Sequence, residues 1–444
     1  MTAAHASIGD MSRRLREGST NAGELAGKAC DNAARSGSVF ITVARSHAQQ
    51  AAAASDKLLV RAAPRSILEG IPFAVKDVID TLGVPTTMAS RQFAANIPDA
   101  DANIVHRLKT AGAVMMGKTN SHEFSYGIRG DVGAFGIVCN PHDAQRIAGG
   151  SSSGSAAAVA LGCVPLAVGT DTAGSVRLPA ALCGVVGFMP SRGLLPTDGI
   201  FPLARSFDTA GYMASCVADI EMAMESTVPG FVAHIPAAAS RPLAYAALNQ
   251  LRADVADSQV GLPYDQVTGQ VAATGIEMST LAEHAERFGG LYDLVRSHEA
   301  YQIHRPLLER SPEKYQPSTL QKLQAGASIG SGQVRHAAGQ IMHLSEQFLS
   351  RFSGSDILIS PTVPILAPLL TDDGADIPRQ LMSHCVIWNV LGWPAVTLPY
   401  WVPGCPLPQS VQLIAKPGED ATLLRAARQV EGLIRQGAAA PSVA

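Results

Sequence analysis

The stretch GGSSSGSAAAVALG, residues 149–162, sets three consecutive serines in a glycine frame and then runs into small apolar residues. It reads as a loop followed by an alanine-rich helix, and it raises the question of which serine does chemistry. Residues 150–154, GSSSG, formally match the nucleophile elbow GxSxG with Ser152 at the centre. That elbow needs a strand running straight into it and an acid and a histidine downstream. The preceding NPHDAQRIAG is polar, contains Pro141 and reads as a loop, and only isolated histidines such as His284 and His343 follow. The elbow is therefore set aside.

Outward from the serines, VPLAVGTDTAGS (164–175) reads as strand then loop. LEGIPFAVKDVIDTLGVPTT carries the apolar run IPFAV, which ends at Lys76 and is soon followed by Gly and Pro. DANIVHRLKTAGAVMMGKTN reads as helix, glycine turn and short buried strand, because Ile104, Val105 and Leu108 have helical spacing. Its GAVMMGKT, residues 112–119, matches the phosphate-binding pattern GxxxxGK[ST]. That mechanism needs a strand before the loop and a helix after it; here the order is reversed, so the match is taken as accidental. Residues 8–34 read as two helices and 44–58 as a third. Residues 220–350 read as longer, more charged helices, and ILISPTVPILAP and SVQLIAKPGEDATLLRAARQVEGLIRQ return to strands with a closing helix. The expectation is an α/β protein with one domain over 1–444. Its catalytic loops lie at about 60–220, a helical specificity segment at about 220–350, and closing strands and a helix at about 355–430.

The 444 residues are 47% hydrophobic and 16% charged, as in a folded globular protein, and the formal net charge of −3 gives no electrostatic case for nucleic acid or an anionic membrane. Seven cysteines, an odd number with no CxxC pair, read as buried thiols in a reducing compartment and not as a zinc site. The N-terminus has no apolar stretch behind its basic residues, and the run AAAVALGCVPLAVG is broken by Gly and Pro. A cytoplasmic soluble protein is expected, with no metal and no cofactor.

Three separated residues carry the chemistry: Lys76, Ser151 and Ser175. A hydroxyl near neutral pH is a poor nucleophile and needs a base. Lysine is that base only when neutral, which requires burial to lower its pKa by roughly three units from about 10.4. Acyl transfer also needs hydrogen-bond donors for the oxyanion. The run Thr172, Ala173, Gly174, Ser175 has small side chains, so its consecutive backbone N–H groups can converge on one oxygen.

Together GIPFAVKDVIDTLGVPTT, GAVMMGKTNSHEFSYG, the serine loop, VGTDTAGSVRLPAALCGVVGFMPSRG, ILISPTVPILAP and WNVLGWPAVTLP resemble the amidase signature family over nearly the whole chain. The resemblance implies a central mixed, twisted β-sheet flanked by helices on both faces. It implies a Ser-cisSer-Lys triad: Ser175 as nucleophile, Ser151 as bridging serine behind a cis peptide bond and in contact with substrate, Lys76 as base. By the same resemblance Asp171 and Arg177 brace the loop, Ser152 supports it, and Ser125 lines the acyl pocket. The implied partner is a small-molecule amide, and the implied assembly a homodimer. Ser153 and Ala173 replace glycines of the common family patterns and lean towards the allophanate hydrolase branch. That branch's Tyr and Arg carboxylate-binding segment has no clear counterpart here, LYDLVRSHEAYQIHR being the nearest stretch. The glutaminase component of a tRNA-dependent amidotransferase is the second alternative. Tyr126, Phe201, Trp388 and Trp393 are expected in the core before the pocket wall.

Overall fold

The continuous apolar runs fold as strands with no solvent-facing side. The computed structural model describes residues 6–233, 241–276, 279–352 and 354–437. The expected frayed tail lies outside them except for Gly437. Thirteen strands form: β1 (Phe40–Val43), β2 (Pro72–Lys76), β3 (Val114–Thr119), β4 (Cys139–Asn140), β5 (Asp143–Ile147), β6 (Leu166–Asp171), β7 (Val186–Met189), β8 (Thr209–Ala214), β9 (Tyr245–Leu248), β10 (Thr274–Ile276), β11 (Ile357–Pro361), β12 (Ala395–Tyr400) and β13 (Gln409–Ile414).

Eleven of these make one sheet in the order β1-β3-β2-β6-β8-β7-β12-β13-β11-β9-β10. The sheet is mixed. β3-β2-β6 and β11-β9-β10 pair in parallel, and the remaining neighbours pair antiparallel. Every residue of β2, β3, β6, β7, β8, β11 and β13 is buried, which requires cover on both faces. Helices provide it, as expected.

The helix Ser153–Ala160 follows the three serines, and its residues Ser153–Val159 are all buried. Only small side chains fit there. A Cβ on Gly154 would lie 2.4 Å from the Val39 carbonyl oxygen and 2.6 Å from the Asn120 amide nitrogen, so the backbone approach excludes any other residue.

Two readings need correction. Residues 220–350 are not helical throughout. Between the helix Val217–Thr227 and the long helix Ser279–Arg310 the chain adds β9 and β10 to the sheet, with the helix Ser258–Gln270 between them. These strands have four and three residues, too short to show a period. NPHDAQRIAG is also not all loop. Its Asp143–Ile147 pairs with Cys139–Asn140 in a separate ribbon outside the main sheet, where polar side chains face out.

Candidate active site

β2 and β6 are parallel neighbours, with Val75 opposite Val168, so Lys76 and Asp171 both stand at carboxyl ends of adjacent strands. Open sheets place ligands beyond these ends. Lys76 is fully buried. Its Nζ lies 2.7 Å from Ser151 Oγ and 2.7 Å from Thr170 Oγ1. Burial pushes its pKa down to about 7, against the upward pull of the Asp171 and Asp208 carboxylates. At that value a large fraction of the amine is neutral at physiological pH, with a lone pair free for a proton.

The peptide bond between Gly150 and Ser151 is cis. The Ser151 carbonyl accepts the His122 N–H at 3.1 Å, and the Ser152 N–H donates to the Ser175 carbonyl at 3.2 Å. These bonds lock the serine loop to the two segments beside it. Ser152 Oγ donates to the Thr170 carbonyl at 3.2 Å, which ties up its hydroxyl and agrees with a supporting role. Ser153 Oγ is buried without a hydrogen-bond partner.

After β6 the chain turns through Thr172–Ser175. Asp171 holds this turn. Its carboxylate accepts N–H groups from Gly174 at 2.6 Å and Val176 at 3.1 Å, Asn389 Nδ2 at 2.8 Å, and Arg177 Nε at 3.1 Å. Both side chains of the Asp171–Arg177 pair are fully buried. Burial alone would raise the Asp171 carboxyl; Arg177 and the hydrogen bonds outweigh it and hold the group below its ordinary value. One expectation narrows here. The Gly174 N–H is committed to Asp171, so the free donors of the turn come from Thr172, Ala173 and Ser175. Gly174 serves by conformation instead: its φ is +109°, and a Cβ would lie 2.6 Å from Cys385 Cβ.

A cavity of about 310 Å³ opens over the turn, lined by Ser175, Thr172, Ala173 and Ser125 among others. Ser151, expected to touch substrate as well, is fully buried and is not in the cavity wall, because it lies beneath the turn beside Lys76. Ser125 has φ +59° and follows Phe124 at φ +52°, two left-handed non-glycine residues in succession. Such backbone costs about 1–3 kcal/mol per residue and is found where function requires it. The Phe124 ring is fixed by Phe93, Phe201, His304 and Tyr315, and the Ser125 hydroxyl is left buried and unpartnered at the cavity wall.

The far wall was not legible in the sequence. Tyr292 and Arg296, from the LYDLVRS stretch, line the cavity with Asp293, Tyr126, Lys322 and Arg379. The spacing of four puts Tyr292 and Arg296 on one helix face. The Arg296 guanidinium stands 5.2 Å from the Tyr126 ring centroid and 5.0 Å from that of Tyr292, and Nη1 is 2.9 Å from Asp293. Its buried Nε has no partner. Lys322 Nζ donates to the Tyr126 carbonyl at 3.1 Å. Of the four aromatic residues weighed in the sequence, Tyr126 lines the cavity, whereas Trp388 and Trp393 pack in the core with Phe348, and Phe201 stacks among Phe93, Phe124 and His304.

The segment that matches the phosphate-binding pattern is a strand, β3, preceded by the helix Asn103–Thr110. Lys118 is fully buried, bonded to the Ile79 carbonyl and, at 2.7 Å, to Thr86 Oγ1. No helix of the described residues is long and apolar enough to cross a membrane.

The sequence profile of the Amidase family matches residues 24–253 and 292–424. The chain is 32% identical over 436 residues to the A-type subunit of the glutamyl-tRNA(Gln) amidotransferase of Anaeromyxobacter dehalogenans (strain 2CP-C), covering 88% of each chain. It is 32% identical over 409 residues to AtzE, the 1-carboxybiuret hydrolase subunit of Pseudomonas sp. (strain ADP), covering 86% of this chain and 89% of that one. A solved crystal structure of an amidase superimposes with a TM-score of 0.88 at 29% identity, over 96% of this chain and 100% of the other. The chain belongs to the amidase family and is an amidohydrolase acting on carboxylic amide C–N bonds.

Proposed function

We propose that this amidase cleaves a small amide bearing a carboxylate, with Ser175 as nucleophile, Ser151 as proton relay and Lys76 as base. The observation that carries the catalytic part is the 2.7 Å contact between the buried Lys76 Nζ and Ser151 Oγ. As Ser175 Oγ bonds to the carbonyl carbon, its proton passes to Ser151 Oγ, and the Ser151 proton passes to the Lys76 lone pair. The carbonyl oxygen takes the negative charge and accepts N–H groups of the 172–175 turn. The Lys76 ammonium then returns its proton through Ser151 to the leaving nitrogen, the C–N bond breaks, and an acyl-enzyme remains. Water attacks it along the same relay, releasing the carboxylic acid and restoring Ser175.

The carboxylate part rests on the far wall. Arg296, Lys322 and Arg379 face a cavity of about 310 Å³ with one carboxylate, Asp293, among them. Burial and the nearby Arg296 lower the pKa of Lys322, which a bound anion would counter. The Arg296 guanidinium and two tyrosines fit a planar anionic group. A urea-derived acid, as the name of the 1-carboxybiuret hydrolase relative suggests, is the leading class. The test is a panel of allophanate, 1-carboxybiuret, glutamine and a neutral aliphatic amide with wild type and Arg296→Gln. The reading expects KM for the preferred acid to rise roughly 10–100-fold in the variant, the worth of a hydrogen bond to a charged group, with the neutral amide unaffected. Equal losses on both substrates contradict it.

A second reading, glutaminase within a larger assembly, draws on the Asp293–Arg296 pair, which offers both charges to an α-amino acid. Glutamine turnover only in the presence of a partner protein would favour it. The proposed working form is a cytoplasmic homodimer; the seven unbonded cysteines fit a reducing compartment.

A further inference from the structure

The pairing of β6 with β8 sets Asp171 opposite Thr209, so the residues that flank them, Thr172 and Asp208, face each other at the strand ends. Asp208 Oδ1 accepts the Thr172 hydroxyl at 2.7 Å. Oδ2 accepts the N–H groups of Leu203 at 2.9 Å and Ala204 at 3.0 Å, and Leu203 lines the cavity. One carboxylate therefore ties the first residue of the donor turn to the cavity wall. All these donors are neutral. The other carboxylate that acts on Lys76, Asp171, is bonded to Arg177. Asp208 has no such guanidinium bond, so its field on Lys76 is less compensated.

We propose that Asp208 is a positioning residue of this active site: it fixes the oxyanion donors through Thr172, and its negative charge sets the proton affinity of Lys76. The inference rests on the reading of Lys76 as base. The charged groups that act on Asp208 and its surroundings are Lys76 on β2, Arg192 after β7, and Glu299 on the helix Ser279–Arg310, which accepts the Ser206 N–H at 3.1 Å. Burial raises the Asp208 carboxyl to about 6, so it is ionised where Lys76 titrates. The Asp208 charge favours the Lys76 ammonium. Removing it makes the amine easier to deprotonate, and the acid limb of activity moves to lower pH.

The experiment is the pH dependence of kcat and kcat/KM for wild type, Asp208→Asn and Thr172→Val, with thermal melting of each. Asp208→Asn is expected to lose about tenfold in kcat, as for one charge-assisted hydrogen bond, and to shift the acid limb down by about one pH unit. KM changes little. Thr172→Val keeps the carboxylate and loses the hydroxyl, so kcat falls while the limb stays. An Asp208→Asn limb that stays at the wild-type position overturns the charge role, and wild-type kcat in Thr172→Val overturns the positioning role. If Asp208→Asn does not fold, the Thr172→Val result still decides whether the bond matters. A wild-type profile flat across this range overturns the Lys76 reading, and the charge role with it, before any Asp208 variant is compared.

Discussion

A fully buried lysine whose nearest partners are two hydroxyls gains little from staying charged, and Lys76 is such a residue. Its amine works as a base only after losing a proton. With a pKa near 7, kcat/KM is expected to rise with pH through about 7 and level off above it. Activity that falls as pH rises from 6 to 8 contradicts this. Lys76→Ala removes the proton acceptor while leaving the turn intact, and kcat is expected to drop by about 10²–10⁴, the range for general base catalysis. Turnover within tenfold of wild type in a folded variant argues for another base. Lys76, Ser151 and Ser175 were legible in the sequence because each sits in a run of residues whose types suit the chemistry. Arg296 and Asp208 were not. Arg296 lies on a charged helix whose faces look alike in sequence, and the partner of Asp208 emerges only from strand register.

At the scale of elements, the ends of β2 and β6 and the turn after β6 hold the site, and the Asp171–Arg177 pair holds the turn. Asp171 receives five donor groups with almost no solvent contact, from Gly174, Val176, Asn389 and two nitrogens of Arg177. Asp171→Ala leaves a buried guanidinium unpaired. Loss of one partner of a buried pair costs about 3–5 kcal/mol, and that loss should be seen in denaturant unfolding together with a fall in kcat. Wild-type stability would show that the pair does not brace the turn. The strands that build this region were readable because their apolar runs are continuous and end in Gly, Pro or polar residues. β9 and β10 escaped notice because they are short, and the β4–β5 ribbon because it is polar and lies outside the sheet.

Across the whole molecule, helices distant in sequence close the cavity over the strand ends. The helix Pro317–Ala325, which carries Lys322, is anchored to the catalytic loops by Glu123, whose carboxylate accepts Ser90 Oγ at 2.7 Å and the Gln316 N–H at 3.0 Å. Glu123→Ala releases that helix without touching the triad. KM is expected to rise roughly tenfold, the scale of a lost charged hydrogen bond, with kcat held within about twofold. A fall in kcat at unchanged KM would mean that Glu123 supports the chemistry and not the cavity wall. The layout of the fold followed from the sequence, but the cavity did not, because its walls meet only once the sheet has brought residues 125–127, 172–175, 292–296 and 322 together.

The central claim is a covalent acyl intermediate on Ser175, and acid-quenched turnover followed by peptide mass spectrometry tests it most directly. The account predicts the mass of the acyl group on the peptide containing Ser175, and no adduct in Ser175→Ala. An adduct carried by Ser151 or Ser152, or full turnover by the Ser175→Ala protein, would contradict it.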